Sequence, residues 1–128
     1  MLTTLSSNRS GFTLIEVMVA MVIMLVGLLG LLQSVNIATE YNLKNHLRDE
    51  AGRIAQNTMD DMRTSPFGSV FNPITTVQSR IRNSQKGYTV RRTVTAMSTG
   101  SREYQVGVRW KYKNYSATHS IVSVRGPQ

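Results

Sequence analysis

From Phe12 to Leu32 the chain reads FTLIEVMVAMVIMLVGLLGLL, and only Thr13 and Glu16 among these twenty-one residues carry polar side chains. At a rise of about 1.5 Å per residue, a helix of this run is about 30 Å long, the thickness of a bilayer's hydrocarbon core. A helix that is apolar on every side must be surrounded by other helices or by lipid. Fewer than a hundred residues follow Leu32, too few to wrap a soluble core around it. The run therefore predicts a membrane span. A secretory signal peptide fits poorly. It would have about 7–15 apolar residues followed by small residues at a cleavage site, whereas here the run is longer and ends in Gln33-Ser34-Val35-Asn36. The small-residue junction, Ser10-Gly11, instead lies before the apolar run. Arg9 sits on the N-terminal side, and no Lys or Arg occurs from Gly11 to Leu43. This asymmetry orients the N-terminus to the cytoplasm and everything after Leu32 outside it.

The segment Ser10-Gly11-Phe12-Thr13-Leu14-Ile15-Glu16-Val17 resembles the processing site of type IV prepilins and type II secretion pseudopilins. The resemblance implies a leader, residues 1–11, that a prepilin peptidase removes by cutting between Gly11 and Phe12 at the cytoplasmic face. It also implies N-methylation of Phe12. The implied partners are the peptidase, the inner membrane before assembly, and other major and minor pilins in an extracellular fibre.

Glu16 has a reading of its own. A carboxylate in an apolar helix costs roughly 2.5–3.5 kcal/mol at the membrane centre. Near the membrane edge it could be tolerated at little cost. Alternatively, it pairs with the amine of Phe12, on its own or a neighbouring subunit, so that polar ends neutralise one another in a packed bundle. The motif favours pairing.

Beyond the span, Leu47, Ala51, Ile54, Ala55, Thr58, Met59 and Met62 recur at intervals of three and four, one stripe of an amphipathic helix. Arg48, Asp49, Glu50, Arg53 and Asp60 lie between them as a solvated face, with Asp49 and Arg53 at pairing distance. Ser65-Pro66 ends the pattern, since a residue before proline avoids the helical region. A continuous helix from Phe12 to Arg63 is expected, without a central proline; Gly27 and Gly30 in it suit close helix packing. Residues 64–86 read as an irregular connector with a short strand or turn near Ile74–Ile81. In Glu103–Tyr112 the residues Tyr104, Val106, Val108, Trp110 and Tyr112 alternate with Glu103, Gln105, Gly107, Arg109 and Lys111, a strand with one buried face. Tyr88–Met97 alternates less cleanly, Arg92 interrupting, and Tyr115–Val124 is β-prone. Lys113-Asn114 suggests a two-residue hairpin and Ser98–Ser101 a four-residue turn.

The expected fold is α+β: a long N-terminal helix, membrane-spanning over 12–32 and amphipathic over 33–63, packed on a small three-stranded antiparallel sheet in 64–128. This order resembles PilV-like minor pilins and the related I-type pseudopilins. The resemblance implies a minor pilin that supports pilus assembly, with a secretion pseudopilin as the alternative. Its head would be periplasmic before incorporation into the fibre.

Charge raises one further possibility. Residues 64–128 hold ten basic residues and one acidic residue, Glu103, for a net +9. Arg91, Arg92, Arg109 and Lys111 could meet an anionic partner such as DNA, as in a DNA-uptake pilin. The same charge equally serves solubility and pairing between subunits, and nucleic-acid binding is the less favoured reading. The chain has no cysteine, which removes thiol chemistry. His46 and His119 have no carboxylate or second histidine at ligand spacing and read as surface residues. Asp60-Asp61 reads as solvated. No catalytic grouping, metal set or cofactor motif is present, so neither an enzyme nor a cofactor is implied.

Overall fold

The computed structural model describes residues 11–98 and 100–127. They comprise one helix, α1 (Leu14–Thr64), followed by four strands, β1 (Ile74–Ile81), β2 (Ser84–Ala96), β3 (Arg102–Tyr112) and β4 (Tyr115–Arg125). The chain divides into two compact units after Glu40.

In the first unit α1 is long and apolar enough to cross a membrane. Its apolar side chains from Leu14 to Leu32 are exposed all round. Added Cβ atoms at Gly27 and Gly30 would meet nothing within 4 Å. Ser34 and Thr39 return their hydroxyls to the helix's own carbonyls of Gly30 and Val35.

In the second unit the rest of α1 packs on an antiparallel meander of order β1-β2-β3-β4. The buried helical residues are Leu47, Ala51, Ile54, Ala55, Thr58, Met59 and Met62, the stripe expected from periodicity. Opposite them lie Tyr88, Val90, Tyr104, Val106, Val108 and Trp110. Each large side chain in this core contributes about 1.5–3 kcal/mol. β3 alternates as expected, with Tyr104, Val106, Val108 and Trp110 buried and Gln105, Arg109 and Lys111 exposed. The Tyr88 ring lies across from Trp110 in register, centroids 6.3 Å apart. Its hydroxyl, sunk in the core, donates to the Leu47 carbonyl at 3.3 Å, satisfying a polar group that would otherwise be costly to bury.

The sheet has four strands where three were expected, the added one being the stretch Ile74–Ile81 for which a short strand or turn was expected. Residues 74–81 pair along their whole length with β2, Ile74 with Arg91 through Ile81 with Ser84. Only Thr75, Val77, Ser79 and Ile81 turn inward there, each partly buried, so the strand carries little of the apolar alternation that marks a core strand. β2 accordingly starts at Ser84, four residues earlier than the alternation suggested. The Lys113-Asn114 hairpin forms as expected, Tyr112 facing Tyr115. Lys113 and Arg82, each first in a two-residue connection, adopt φ of 52° and 53°. The Ser98–Ser101 turn includes Thr99, outside the described residues; the Met97 amide closes it on the Ser101 carbonyl at 2.9 Å.

Two polar ties differ from expectation. Arg53 pairs with Glu50, not Asp49: its Nε and Nη2 donate to the two carboxylate oxygens at 2.9 and 2.6 Å. Glu50 is not part of the solvated face. It is half-buried and also accepts from the Ser79 hydroxyl of β1, which joins helix to sheet. At the end of α1, Arg125 Nη1 donates to the carbonyls of Arg63 and Ser65 at 2.5 and 2.8 Å. It thereby serves carbonyls that a helix terminus leaves without intrahelical partners.

Candidate processing and assembly site

α1 opens on a short non-helical lead. Gly11, Phe12 and Thr13 precede it, all exposed, and the Phe12 side chain is 89% exposed. The remainder of the expected leader, residues 1–10 with Arg9 and Ser10, lies outside the described residues. The Gly11-Phe12 bond is exposed and lies outside the helix.

Thr13 and Glu16 close on each other. The Thr13 amide donates to Glu16 Oε2 at 2.9 Å and the Thr13 hydroxyl to the same oxygen at 3.1 Å; the Glu16 amide donates to Thr13 Oγ1 at 3.3 Å. This is a reciprocal capping box, which satisfies two amides that a helix start leaves open. The carboxylate also sits at the positive end of the helix dipole. Phe12, Glu16, Val17, Ala20, Met21 and Met24 line one open groove on this apolar face. The capping role of Glu16 was not among the expectations, although T-x-x-E before an apolar run is a recognisable signal for it.

The four basic residues that could meet an anionic partner do not share one face of the sheet. Arg91, Arg109 and Lys111 are exposed on the outer face of the sheet, with Arg91 across from Gly107, Arg109 across from Thr89 and Lys111 across from Ser116. Arg92 turns to the inner face and is half-buried, its Nη1 donating to Thr75 Oγ1 at 2.9 Å and the Asn72 carbonyl at 3.4 Å. Its interruption of the β2 pattern is a structural tie to β1. His46 is exposed on α1 and His119 half-buried on β4. Among the described residues no three His, Cys, Asp or Glu side chains gather as metal ligands.

Two groups in the second unit have shifted pKa values. The Arg53 hydrogen bonds hold the Glu50 carboxyl below its usual range against the opposing effect of burial, with the Ser79 bond and the Arg53 charge helping. Burial, with the Glu50 charge adding to it, pushes the Tyr88 hydroxyl up to about 12.

Comparison with known proteins places the motif. Residues 6–32 match the family described as the prokaryotic N-terminal methylation motif. Comparisons with curated proteins and with solved structures gave no match. Over that stretch, the chain carries the N-terminal methylation motif of type IV prepilins and pseudopilins.

Proposed function

We propose that the chain is a minor pilin: a subunit made in the inner membrane, cut between Gly11 and Phe12, methylated on Phe12 and incorporated into a type IV pilus to support its assembly. The observation that carries this reading is the pairing of the methylation motif with a helix whose apolar side chains from Leu14 to Leu32 are exposed on every side. Such a surface suits lipid first and neighbouring subunits afterwards. The small α+β head following the helix supports a structural role. Prepilin peptidase, the membrane and other pilins are the partners on this reading.

In the assembled bundle, Glu16 pairs with the Phe12 amine of its own or a neighbouring chain. The capping box gives this a sharp test, because glutamine can replace glutamate in the cap but carries no charge. Thr13→Ala removes only the cap, at a cost of about 0.5–2 kcal/mol to the helix. Glu16→Gln removes only the charge. Recovery in sheared fibres is compared at equal membrane levels. The pairing predicts that Glu16→Gln and Glu16→Ala insert and are processed yet are lost from fibres, since an unpaired buried charge costs about 3–5 kcal/mol. It also predicts that Thr13→Ala is retained. Normal recovery of Glu16→Gln would reduce Glu16 to a cap.

A further inference from the structure

Edge strands in soluble domains are usually protected by charge, proline, bulges or shortness, because an open edge invites another strand. β1 has such protection: it is eight residues long, follows Pro73, contains Arg80 and is followed by Arg82. β4 has none of it. It runs eleven residues, pairs with β3 without a bulge from Tyr115 to Arg125, and has no Lys, Arg, Asp, Glu or Pro from Ser116 to Val124. Among the described residues no strand lies beyond it. On its outer side Val122 and Val124 are each 56% exposed. On its inner side a cavity of about 420 Å³ opens between the helix and the last hairpin, with Tyr41, Lys44 and Arg48 on one wall and Tyr112, Tyr115 and His119 on the other.

We propose that β4 is a docking edge at which an extended segment of a second, acidic protein subunit adds as a fifth strand. Main-chain hydrogen bonds along the edge would supply affinity, and alternate side chains of the added strand would enter the aromatic cavity and cover Val122 and Val124. Charge selects the occupant. Residues 64–128 carry net +9, so a second copy of this chain is repelled. An antiparallel pair of β4 strands would also set the Arg125 end of each beside the Lys113 end of the other, twice by symmetry. A strand with acidic residues at its ends and an uncharged, β-branched middle meets the opposite conditions. That the partner is a fibre subunit rests on the pilin reading; that the edge takes an acidic strand does not.

The test uses the full chain in its own cells. A photoreactive residue is placed at Ser120 on β4 or, as a control, at Thr76 on β1, and adducts are sought in membrane and sheared-fibre fractions. The edge reading predicts an adduct with an acidic protein from Ser120 and little from Thr76. Val122 and Val124 point away from the core, so both can be changed together while Trp110 fluorescence reports that the head remains folded. Glutamates at these two positions should weaken the adduct about tenfold through like-charge pairs across strands, whereas lysines, equally poor in strand propensity, should preserve it. An adduct only with a second copy, equal adducts from both edges, equal loss with glutamate and lysine, or no adduct in either fraction would overturn the proposal. A chain absent from fibres that still gives the Ser120 adduct in membranes would contradict the fibre reading and support the edge.

Discussion

Glu50 and Tyr88 each fasten the helix to the sheet. The Glu50 carboxylate holds Arg53 along the helix and Ser79 on β1, while the Tyr88 hydroxyl reaches the Leu47 carbonyl. Their linked pH effects follow from the direction of each shift. Glu50 has a lowered pKa in the folded head, so its contribution is complete above the ordinary glutamate range and lost as pH falls through the lowered value. Tyr88 is an acid whose folded pKa, about 12, lies above its usual value of 10.0. Its stabilisation is complete below the usual value and lost as pH rises towards the folded one. Denaturant unfolding followed by Trp110 fluorescence should therefore show a stability fall on both the acid and the alkaline side. Tyr88→Phe should flatten the alkaline limb, and Glu50→Gln the acid one. An unchanged alkaline limb in Tyr88→Phe would place the tyrosine's ionisation elsewhere. None of this junction was readable along the chain. Glu50 looked like one more charge on a solvated face, and Ser79 lies 29 residues away with nothing in its neighbourhood to announce the bond.

Elements built on local periodicity were legible, and those completed by distant partners were not. The stripe from Leu47 to Met62 and the alternation of β3 state their buried faces directly, because each element turns a full apolar row towards the core. β1 was legible only as a short strand or turn and not as a member of the sheet: an edge strand buries little, and only Val77 and Ile81 of its apolar side chains join the core. The start of α1 was read for its charge when T-x-x-E also specified its cap. The β3–β4 hairpin gives a prediction at this scale. Lys113 holds φ of 52°, in the left-handed region that disfavours side chains, with a penalty of about 1 kcal/mol. Lys113→Gly removes that penalty while adding freedom to the unfolded chain, so a net gain of up to about 1 kcal/mol is expected in denaturant melts. A loss above about 1 kcal/mol would show that the lysine side chain, which stacks 5.4 Å from the Tyr112 ring centre, contributes more than the turn conformation costs.

At the scale of the whole molecule the two units divide the physical tasks. The unit ending at Glu40 exposes apolar side chains on all sides, a surface of the kind that marks contact with a membrane or another protein. The unit beginning at Tyr41 is self-sufficient in its core, with no buried side-chain nitrogen or oxygen left without a hydrogen bond among the described residues. The basic charge lies with the strands, and the motif that calls for cutting and methylation stands at the other end of the chain. The prepilin reading requires that the bond between Gly11 and Phe12 be cut, which sets the mature N-terminus at Phe12. Mass spectrometry of the protein taken from membranes and from sheared fibres should find Phe12 first, carrying one added methyl group on its amine, with residues 1–11 absent. Gly11 changed to a bulky residue should leave the leader in place, as only glycine lets the backbone lie close at the scissile bond. Protein that retains Met1 throughout, in cells whose peptidase processes other prepilins, would contradict the prepilin reading.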